Sequence, residues 1–314
     1  MSRLTLPNPA KVAATPRPVL VDPDARFAQH HNASSFLFTH GLTGNPLFAL
    51  PSLLALAERT PDHRDTYWSN GKVEVTDRWE RSSDGRLSLQ ETIEGIRDNN
   101  SLVILKHAEQ DREIAPLLQG VLASIVEYCG DTMRRDIIVG EVLILISSPN
   151  RLTPYHVDAE SNFLLQVTGD KTICLFNQDD PGIITHKERE SYFLGNYNSA
   201  IYTEEKQAKA AAYDLRAGNG VHIPVFAPHW VRNHDNVSVA LSVNYELRSI
   251  ARMARVYQAN HHLRKLGLAP RPPGASRLRD GMKSGLVRGL DVAKRLFRQE
   301  GLPCSAGWTP GQMA

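Results

Sequence analysis

The spacing of hydrophobic and polar positions predicts helices in the first part of the chain. Apolar residues recur at helical intervals over 47–58, 89–97 and 114–128, which predicts three amphipathic helices. The continuous apolar run 101–106 predicts a buried strand between the second and the third helix. Residues 1–30 are rich in proline and lack this spacing, so we expect an extended arm there.

Beyond residue 131 the pattern changes to short apolar runs of strand length, separated by turn residues. These runs cover 136–147, 162–169, 171–177, 220–225, 229–233 and 237–247. Many short strands at fairly even spacing favour an antiparallel sandwich or barrel. The polar stretch 178–212 interrupts the series, and we expect it to be a partly helical insertion that forms a lid or a binding loop.

Helical spacing returns after residue 247, over 248–266 and 277–300, with a proline- and glycine-rich break between the two helices. We therefore predict four parts: an extended arm at 1–30, a helical or mixed region at 31–130, a β core at 131–247 and C-terminal helices at 248–314. The apolar positions of the last two helices need a surface to pack on. We expect a homodimer through these helices, with packing against the protein's own core as the alternative.

Composition excludes several classes of protein. The 314 residues are 41% hydrophobic and 22% charged, as in an ordinary globular protein. No apolar run approaches the roughly 18 residues of a membrane helix, and the N-terminus lacks the apolar core of a signal peptide, so we expect a cytoplasmic protein without a membrane partner. The three cysteines, Cys129, Cys174 and Cys304, form no CxxC pair, which argues against a disulfide framework and a structural zinc site.

The net charge of +2 is unevenly distributed along the chain. Residues 251–314 contain 12 Lys and Arg against three acids, a net charge of +9, so that residues 1–250 carry −7. We interpret the basic segment as a solvated helical face that packs against the acidic body. Nucleic acid is not an expected partner, because no nucleic-acid-binding motif accompanies the basic charge.

The candidate chemistry lies at the start of the predicted β core. His156 and Asp158 are two residues apart, and on an extended chain such residues point to the same side. With a second histidine from a distant strand they can form a triad of two histidines and one carboxylate, which suits non-haem iron(II) because it leaves positions open. The pair alone is weak evidence, because a chain with 12 histidines contains such pairs by chance.

The residues around this pair strengthen the prediction. They form two groups: Thr153, Pro154, His156, Asp158, Asn162, Phe163, Gly169 and Lys171, then Ile223, Pro224, His229 and Asn244. At these intervals the segment 153–244 resembles iron(II)- and 2-oxoglutarate-dependent oxygenases of the JmjC/cupin type, and among them the asparaginyl hydroxylase that acts on hypoxia-inducible factor. The resemblance implies a mainly β fold, with a double-stranded β-helix (jelly roll) over 131–247 and helical additions at both ends.

The resemblance also assigns roles to individual residues. It implies Fe(II) ligands at His156, Asp158 and His229, contacts from Lys171 and Thr153 to the far carboxylate of 2-oxoglutarate, and pocket positions for Asn162 and Asn244. A buried dianion requires a cation and fixed donors, which agrees with a lysine on an apolar strand. His222 and His234 flank His229 and are alternative third ligands; we interpret His222 as a core or pocket residue and His234 as an exposed turn residue.

The resemblance leaves the substrate open, because the segments 218–220 and 226–228 depart from the family pattern. We expect an enzyme that hydroxylates a side chain of a protein or peptide, and the same chemistry at an N-methyl group would demethylate. The first alternative is a tailoring hydroxylase for a small molecule. The second is a non-catalytic cupin-like binding or regulatory protein, in which a metal ligand or the lysine would be lost; this chain retains all of them.

Overall fold

The computed structural model describes residues 19–22, 24–59, 66–79 and 87–299. Its strands are β1 (Leu20–Val21), β2 (Phe36–His40), β3 (Tyr67–Ser69), β4 (Leu102–Leu105), β5 (Ile137–Ser147), β6 (Leu152–His156), β7 (Ser161–Thr168), β8 (Lys171–Leu175), β9 (Ala211–Leu215), β10 (Asn219–Ile223), β11 (His229–Asn233) and β12 (Ser238–Leu247). They form two antiparallel sheets. The larger has the order β1-β2-β10-β7-β12-β5-β4-β3, and the smaller has the order β6-β11-β8-β9.

The two sheets share an apolar interior. Leu164, Val221 and Ala240 of the larger sheet belong to the same buried cluster as Ile173 and Leu215 of the smaller sheet. Strands β7 and β12 are buried along almost their whole length, because the larger sheet is covered on both faces. This explains why their sequences are continuous apolar runs rather than alternating ones.

Helices cover the outer face of the larger sheet and extend from the core. They are α1 (Arg26–His30), α2 (Leu50–Arg59), α3 (Leu89–Glu94), α4 (Ala115–Cys129), α5 (Asp131–Asp136), α6 (His186–Tyr192), α7 (Glu204–Gln207), α8 (Arg248–Lys265) and α9 (Arg277–Gln299). Both α3 and α6 begin at a capping box, formed by Ser88 with Glu91 and by Thr185 with Glu188.

Helix α4 packs closely on the larger sheet at Gly140. A Cβ atom on this glycine would lie 2.9 Å from Leu122 Cδ2 and 3.1 Å from Tyr245 Cε1. The Tyr245 hydroxyl also donates a hydrogen bond to the Leu122 carbonyl, at 2.8 Å. The glycine that interrupts the apolar run of β5 is therefore required for the approach of the helix.

Part of the predicted N-terminal arm is folded. Residues 1–18 lie outside the described residues, but β1 pairs with β2, and α1 places Phe27 in the core with no exposed surface. The Phe27 ring stacks on Phe163 of β7, with the ring centroids 5.4 Å apart. The Phe27 centroid also lies 5.2 Å from that of Phe36 and 5.5 Å from that of Tyr128. Residues 20–21 are therefore extended, whereas residues 26–30 form a helix that packs on the core through Phe27.

Other predicted elements differ in their bounds or were missed. The helix predicted at 47–58 begins at Leu50, because residues Pro46–Phe48 form a separate 3-10 turn. The insertion 178–212 contains α6 and α7 as expected, but strand β9 begins at its end and pairs with β8. Sequence periodicity missed β9 because most of its residues are exposed or half-buried.

Within the described residues, no helix combines the length and hydrophobicity needed to cross a membrane.

Candidate metal and co-substrate site

Three side chains converge where the smaller sheet opens toward the larger one. His156 ends β6, Asp158 follows two residues later, and His229 begins β11 directly opposite His156. One potential ligand atom from each lies within 4.8 Å of the others. Asp158 Oδ2 is 3.8 Å from His156 Nε2 and 3.7 Å from His229 Nε2. No other group of this kind was found in the described parts of the chain.

Hydrogen bonds to the main chain orient both imidazoles. His156 Nδ1 lies 2.7 Å from the Pro154 carbonyl oxygen, and His229 Nδ1 lies 3.0 Å from the Ala227 carbonyl oxygen. A carbonyl oxygen can only accept, so each Nδ1 carries the proton and each Nε2 keeps a free lone pair. Burial, reinforced by the neighbouring His156, lowers the pKa of His229 to about 4. The neutral imidazole needed for metal binding is therefore the form present at neutral pH.

The turn before His229 holds the Asp158 loop in place. The Phe226 amide donates a hydrogen bond to the Asp158 carbonyl at 2.9 Å. Phe226 has a φ of 60°, in the left-handed region that bulky residues rarely adopt. Its ring is buried against Tyr192 and Phe193 at 5.1 Å and 5.2 Å, which stabilises this unusual backbone. The strain thus lies beside the candidate ligands, as is common at functional sites.

Trp79 covers the metal group from the N-terminal part of the chain. Its ring stacks on His156 at 5.4 Å with an interplanar angle of 29°. The Asn198 side chain accepts from the Trp79 amide at 2.7 Å and donates to the Trp79 carbonyl at 3.2 Å. Sequence reasoning missed both residues, because neither belongs to a motif and they are far apart in the chain.

Lys171 lies in the wall of the same cavity and is 2% exposed. It begins β8 opposite Asn233 of β11. No hydrogen bond or ion pair joins its ammonium group to any residue that the structure describes. Burial lowers the pKa of Lys171 to about 8, so the side chain is mainly protonated at neutral pH. A buried cation without a partner is costly, and the cavity is therefore suited to an anionic ligand.

The remaining predicted residues also face this cavity. Asn162 and Asn244 are directly opposite each other on β7 and β12, and Asn162 Nδ2 donates to Asn244 Oδ1 at 2.7 Å. Asn162 Oδ1 is buried and has no hydrogen-bond partner in the part of the chain that the structure describes. Thr153, opposite Val231 on β11, lines the cavity as well. The structure thus brings together all seven residues: Thr153, His156, Asp158, Asn162, Lys171, His229 and Asn244.

The two alternative third ligands are used elsewhere. His222 is fully buried; its Nδ1 donates to the Asn162 carbonyl at 2.9 Å, and its Nε2 accepts from the Asn32 amide at 3.0 Å. His234 Nε2 lies 2.9 Å from the Thr172 hydroxyl. Both imidazoles are outside the group of three ligands, and the interpretation of His222 as a core residue agrees with its contacts.

Three carboxyl groups that the sequence did not predict share the cavity wall: Glu141, Glu160 and Glu246. Burial is the main cause that raises the pKa of Glu141 to about 7, and burial also raises the pKa of Glu246. The pKa of Glu160 is raised to about 8 by burial and by the neighbouring carboxylates. The available signal was the alternation of β12, which places Glu246 on the same face as Asn244.

Comparison with known proteins identifies solved structures with a similar fold. No protein-family model and no curated protein sequence matches the chain. A solved structure of Escherichia coli ycfD is 14% identical, with a TM-score of 0.51, over 87% of this chain and 68% of that one. Another structure, of E. coli YcfD described as a ribosomal oxygenase in complex with cobalt and 2-oxoglutarate, is 16% identical with a TM-score of 0.45, over 87% and 67% of the two chains. The chain therefore shares the fold of ycfD and spans about two thirds of its length.

Proposed function

We propose that this protein is an iron(II)- and 2-oxoglutarate-dependent oxygenase of the JmjC/cupin type, which hydroxylates a side chain of a protein or peptide. The observation that carries the proposal is the buried Lys171, which has no partner among the described residues and lies in the same cavity as His156, Asp158 and His229. A metal triad alone suits several metals and activities. A triad beside a buried cation suits a metal that works with an anionic co-substrate.

We infer that residues 131–247 form a double-stranded β-helix, flanked by an N-terminal region and the C-terminal helices. Eight strands fall in this range, four in each sheet: β5, β7, β10 and β12 in the larger, and β6, β8, β9 and β11 in the smaller. Eight strands in two facing sheets are typical of a jelly roll. The fold shared with ycfD supports this interpretation.

The metal ligands of this proposal are His156 Nε2, His229 Nε2 and a carboxylate oxygen of Asp158. Two neutral imidazoles and one carboxylate on one side of an ion leave the other side open, as non-haem iron(II) oxygenases require. When bound, iron(II) and 2-oxoglutarate supply oxygen activation for hydroxylation, and 2-oxoglutarate leaves as succinate and carbon dioxide. The Trp79 ring stacks on His156 and would pack against this ligand when the metal is bound.

The co-substrate contacts follow from the charges and donors of the wall. Lys171 offers an ammonium group to the far carboxylate of 2-oxoglutarate, and Thr153 offers a hydroxyl group to the same carboxylate. The Asn162 and Asn244 amides, joined at 2.7 Å, lie on the facing sheet and line the pocket. The dianion would thus find a partner for its charge in a cavity whose wall also includes the apolar side chains of Ile173, Leu164 and Leu145.

A protein or peptide substrate is favoured because the neighbour ycfD is described as a ribosomal oxygenase. The retained triad and lysine argue against the non-catalytic alternative. The test is to load the protein with Fe(II) and measure release of succinate from 2-oxoglutarate with peptide and small-molecule libraries. Metal-dependent succinate release that is lost in Asp158→Ala, and kept when exposed Asp179 is changed to Ala, would support the proposal. A wild-type protein that binds neither Fe(II) nor 2-oxoglutarate would contradict it.

We also propose a homodimer through the C-terminal helices. Leu278, Met282, Leu286 and Leu290 recur every four residues along α9 and are 53% to 76% exposed. This exposed apolar stripe leaves the opposite side of α9 to pack on α8, where Ser284 is buried against Arg255. A solvent-exposed stripe of this kind is typical of a protein interface. Light scattering of Leu286→Glu should show a monomer; a wild-type monomer would rule the dimer out.

A further inference from the structure

The loop between β6 and β7 carries Asp158, and one peptide group of this loop is hydrogen-bonded at both ends. The Phe226 amide donates to the Asp158 carbonyl oxygen at 2.9 Å, and the Ala159 amide donates to the Tyr192 hydroxyl oxygen at 3.2 Å. This carbonyl and this amide belong to the same peptide group, which joins residues 158 and 159. Because a peptide group is planar, hydrogen bonds at its two ends fix its orientation.

The side chain of Asp158 depends on this backbone for its direction. His156 and His229 are oriented by hydrogen bonds from their own Nδ1 atoms. The Asp158 carboxylate, in contrast, accepts no hydrogen bond from any residue that the structure describes, and Asp158 Oδ2 lies 3.8 Å and 3.7 Å from the Nε2 atoms of the two imidazoles. The carboxylate is therefore directed toward the imidazoles by the conformation of the main chain beside it, which includes the peptide group 158–159.

Tyr192 supports both of these hydrogen bonds. Its hydroxyl oxygen is the acceptor for the Ala159 amide, and its ring contacts the ring of Phe226, the donor residue at the other end, with centroids 5.1 Å apart. Phe226 needs such support, because its φ of 60° lies in the left-handed region. Tyr192 is itself 2% exposed. One buried side chain thus holds the peptide group directly at one end and through Phe226 at the other.

Helix α6, which ends at Tyr192, is anchored to helix α8. The buried Glu190 of α6 accepts hydrogen bonds from Arg264 Nε at 3.1 Å and 3.0 Å, one at each carboxylate oxygen. At the start of α6, His186 Nδ1 lies 3.0 Å from the Tyr257 hydroxyl oxygen. A charge-assisted contact and a second polar contact therefore hold the helix at two positions, and Tyr192 extends from a well-supported element.

Packing alone explains the ring of Tyr192 but not its hydroxyl group. The residue belongs to the hydrophobic core, where a phenylalanine would fill the same space. Burying a hydroxyl group is unfavourable unless it forms a hydrogen bond. Without the hydroxyl group, the Ala159 amide would also lose this acceptor. The hydroxyl group therefore has a role beyond filling the core.

We propose that Tyr192 is a positioning residue of the metal site, which holds the peptide group 158–159 and thereby directs the Asp158 carboxylate toward His156 and His229. The proposal rests on the proposed function, because it takes Asp158 as a metal ligand. Tyr192 is not a ligand itself and acts through the backbone of Asp158. Substitution of a residue that orients a metal ligand typically weakens metal binding by about 10–100-fold.

The test compares two phenylalanine variants of the full-length protein. Tyr192→Phe removes the hydroxyl group and keeps the ring. Tyr245→Phe is the matched control, because Tyr245 is similarly buried and its hydroxyl group also bonds to the main chain, at the Leu122 carbonyl of α4. Both variants lose one buried hydrogen bond, so both should melt at a lower temperature than the wild type.

Metal binding should separate the two variants. In calorimetric titration, Tyr192→Phe should bind Co(II) about tenfold more weakly than the wild type, and Tyr245→Phe should bind it equally tightly. The visible absorption spectrum of bound Co(II) depends on the geometry of its ligands. This spectrum should change in Tyr192→Phe and stay the same in Tyr245→Phe.

Three other results would contradict the proposal in different ways. If Tyr192→Phe matches the wild type in its Co(II) affinity or in its spectrum, Tyr192 is only a core residue, and the proposed oxygenase function stands. If Tyr245→Phe weakens Co(II) binding as much as Tyr192→Phe does, the effect comes from a general loss of stability, and the positioning role is wrong. If the wild type binds neither Co(II) nor 2-oxoglutarate, the proposed function falls, and this inference with it.

Discussion

The two sheets contribute differently to the site. The smaller sheet carries Thr153, His156, Lys171 and His229, all on neighbouring strands β6, β11 and β8. The larger sheet carries the paired asparagines on β7 and β12, and Glu141 and Glu246 on β5 and β12, with Glu160 directly before β7. Every residue of the smaller sheet's contribution belongs to the sequence pattern, whereas the three glutamates belong to none. One sheet therefore carries the recognisable motif, and the other adds carboxyl groups to the same cavity that no motif predicts.

The largest effect is expected from removing a proposed metal ligand of the smaller sheet. His229→Ala should lower metal affinity by more than about 100-fold, because even changes beyond the direct ligands can cost 10–100-fold. Titration with Fe(II) or Co(II) measures this loss, and the melting temperature of the metal-free protein checks that the fold is kept. His222→Ala is the contrasting variant. If it lost metal binding and His229→Ala retained it, the assignment of the third ligand would be wrong.

A smaller effect is expected from the cation of the smaller sheet. Lys171→Met keeps the length of the side chain and should weaken 2-oxoglutarate binding by about 1.5–3 kcal/mol, with metal affinity nearly unchanged. Thr153→Ala should weaken it less. The same Lys171→Met change should raise the melting temperature without 2-oxoglutarate, since it removes a buried charge that no described residue pairs with. Unchanged 2-oxoglutarate affinity would exclude Lys171 as its partner.

The third effect concerns a glutamate of the larger sheet, Glu141, and is visible only as a pH dependence of stability. The pKa of Glu141 in the folded protein is raised to about 7, mainly by burial and also by Glu109 and Glu246, while His107 and Lys106 oppose the shift. A raised pKa means that stability is present at low pH and is lost as pH rises through about 7. Glu141→Gln should therefore leave the free energy of unfolding unchanged near pH 4.5 and raise it by up to about 3 kcal/mol near pH 8.

Chemical unfolding of both proteins at several pH values measures this difference. Comparing the variant with the wild type removes the opposing contribution of buried histidines, whose lowered pKa values, such as about 3 for His222, destabilise both proteins as pH falls. Glu204→Gln, on the exposed helix α7, should show no pH-dependent change. A constant difference between Glu141→Gln and wild type at all pH values would mean that this carboxyl group does not titrate near neutrality.

The sequence predicted most of the β core from its apolar runs, whereas the proposed metal and co-substrate residues came from the resemblance to JmjC/cupin oxygenases. The pair His156 and Asp158 is local, so its spacing in sequence by itself places both side chains on one side of the chain. The strands at 136–147 and 237–247 are buried on both faces, so their apolar runs were visible as well.

The missed features depend on contacts between distant segments. Trp79 meets His156 because the N-terminal segment is bound by Asn198, and no local pattern records that contact. Glu160 and Glu246 become neighbours through the register of β7 with β12, and register depends on the whole sheet. Strand β9 was missed because it lies at an edge, where exposed residues hide the usual alternation.

Because His156 and His229 donate their hydrogen bonds to main-chain carbonyl groups, the site should tolerate substitutions at the residues that provide those carbonyls. The carbonyl groups of residues 154 and 227 orient the two imidazoles, and a carbonyl is present whatever amino acid the codon specifies. The two hydrogen bonds that orient the rings therefore have no acceptor side chain that a single substitution could delete. Substitutions at residues 154 and 227 should therefore be tolerated as long as the backbone conformation is kept. The single substitutions that disrupt the three candidate ligands should be few and lie mainly at the ligands themselves.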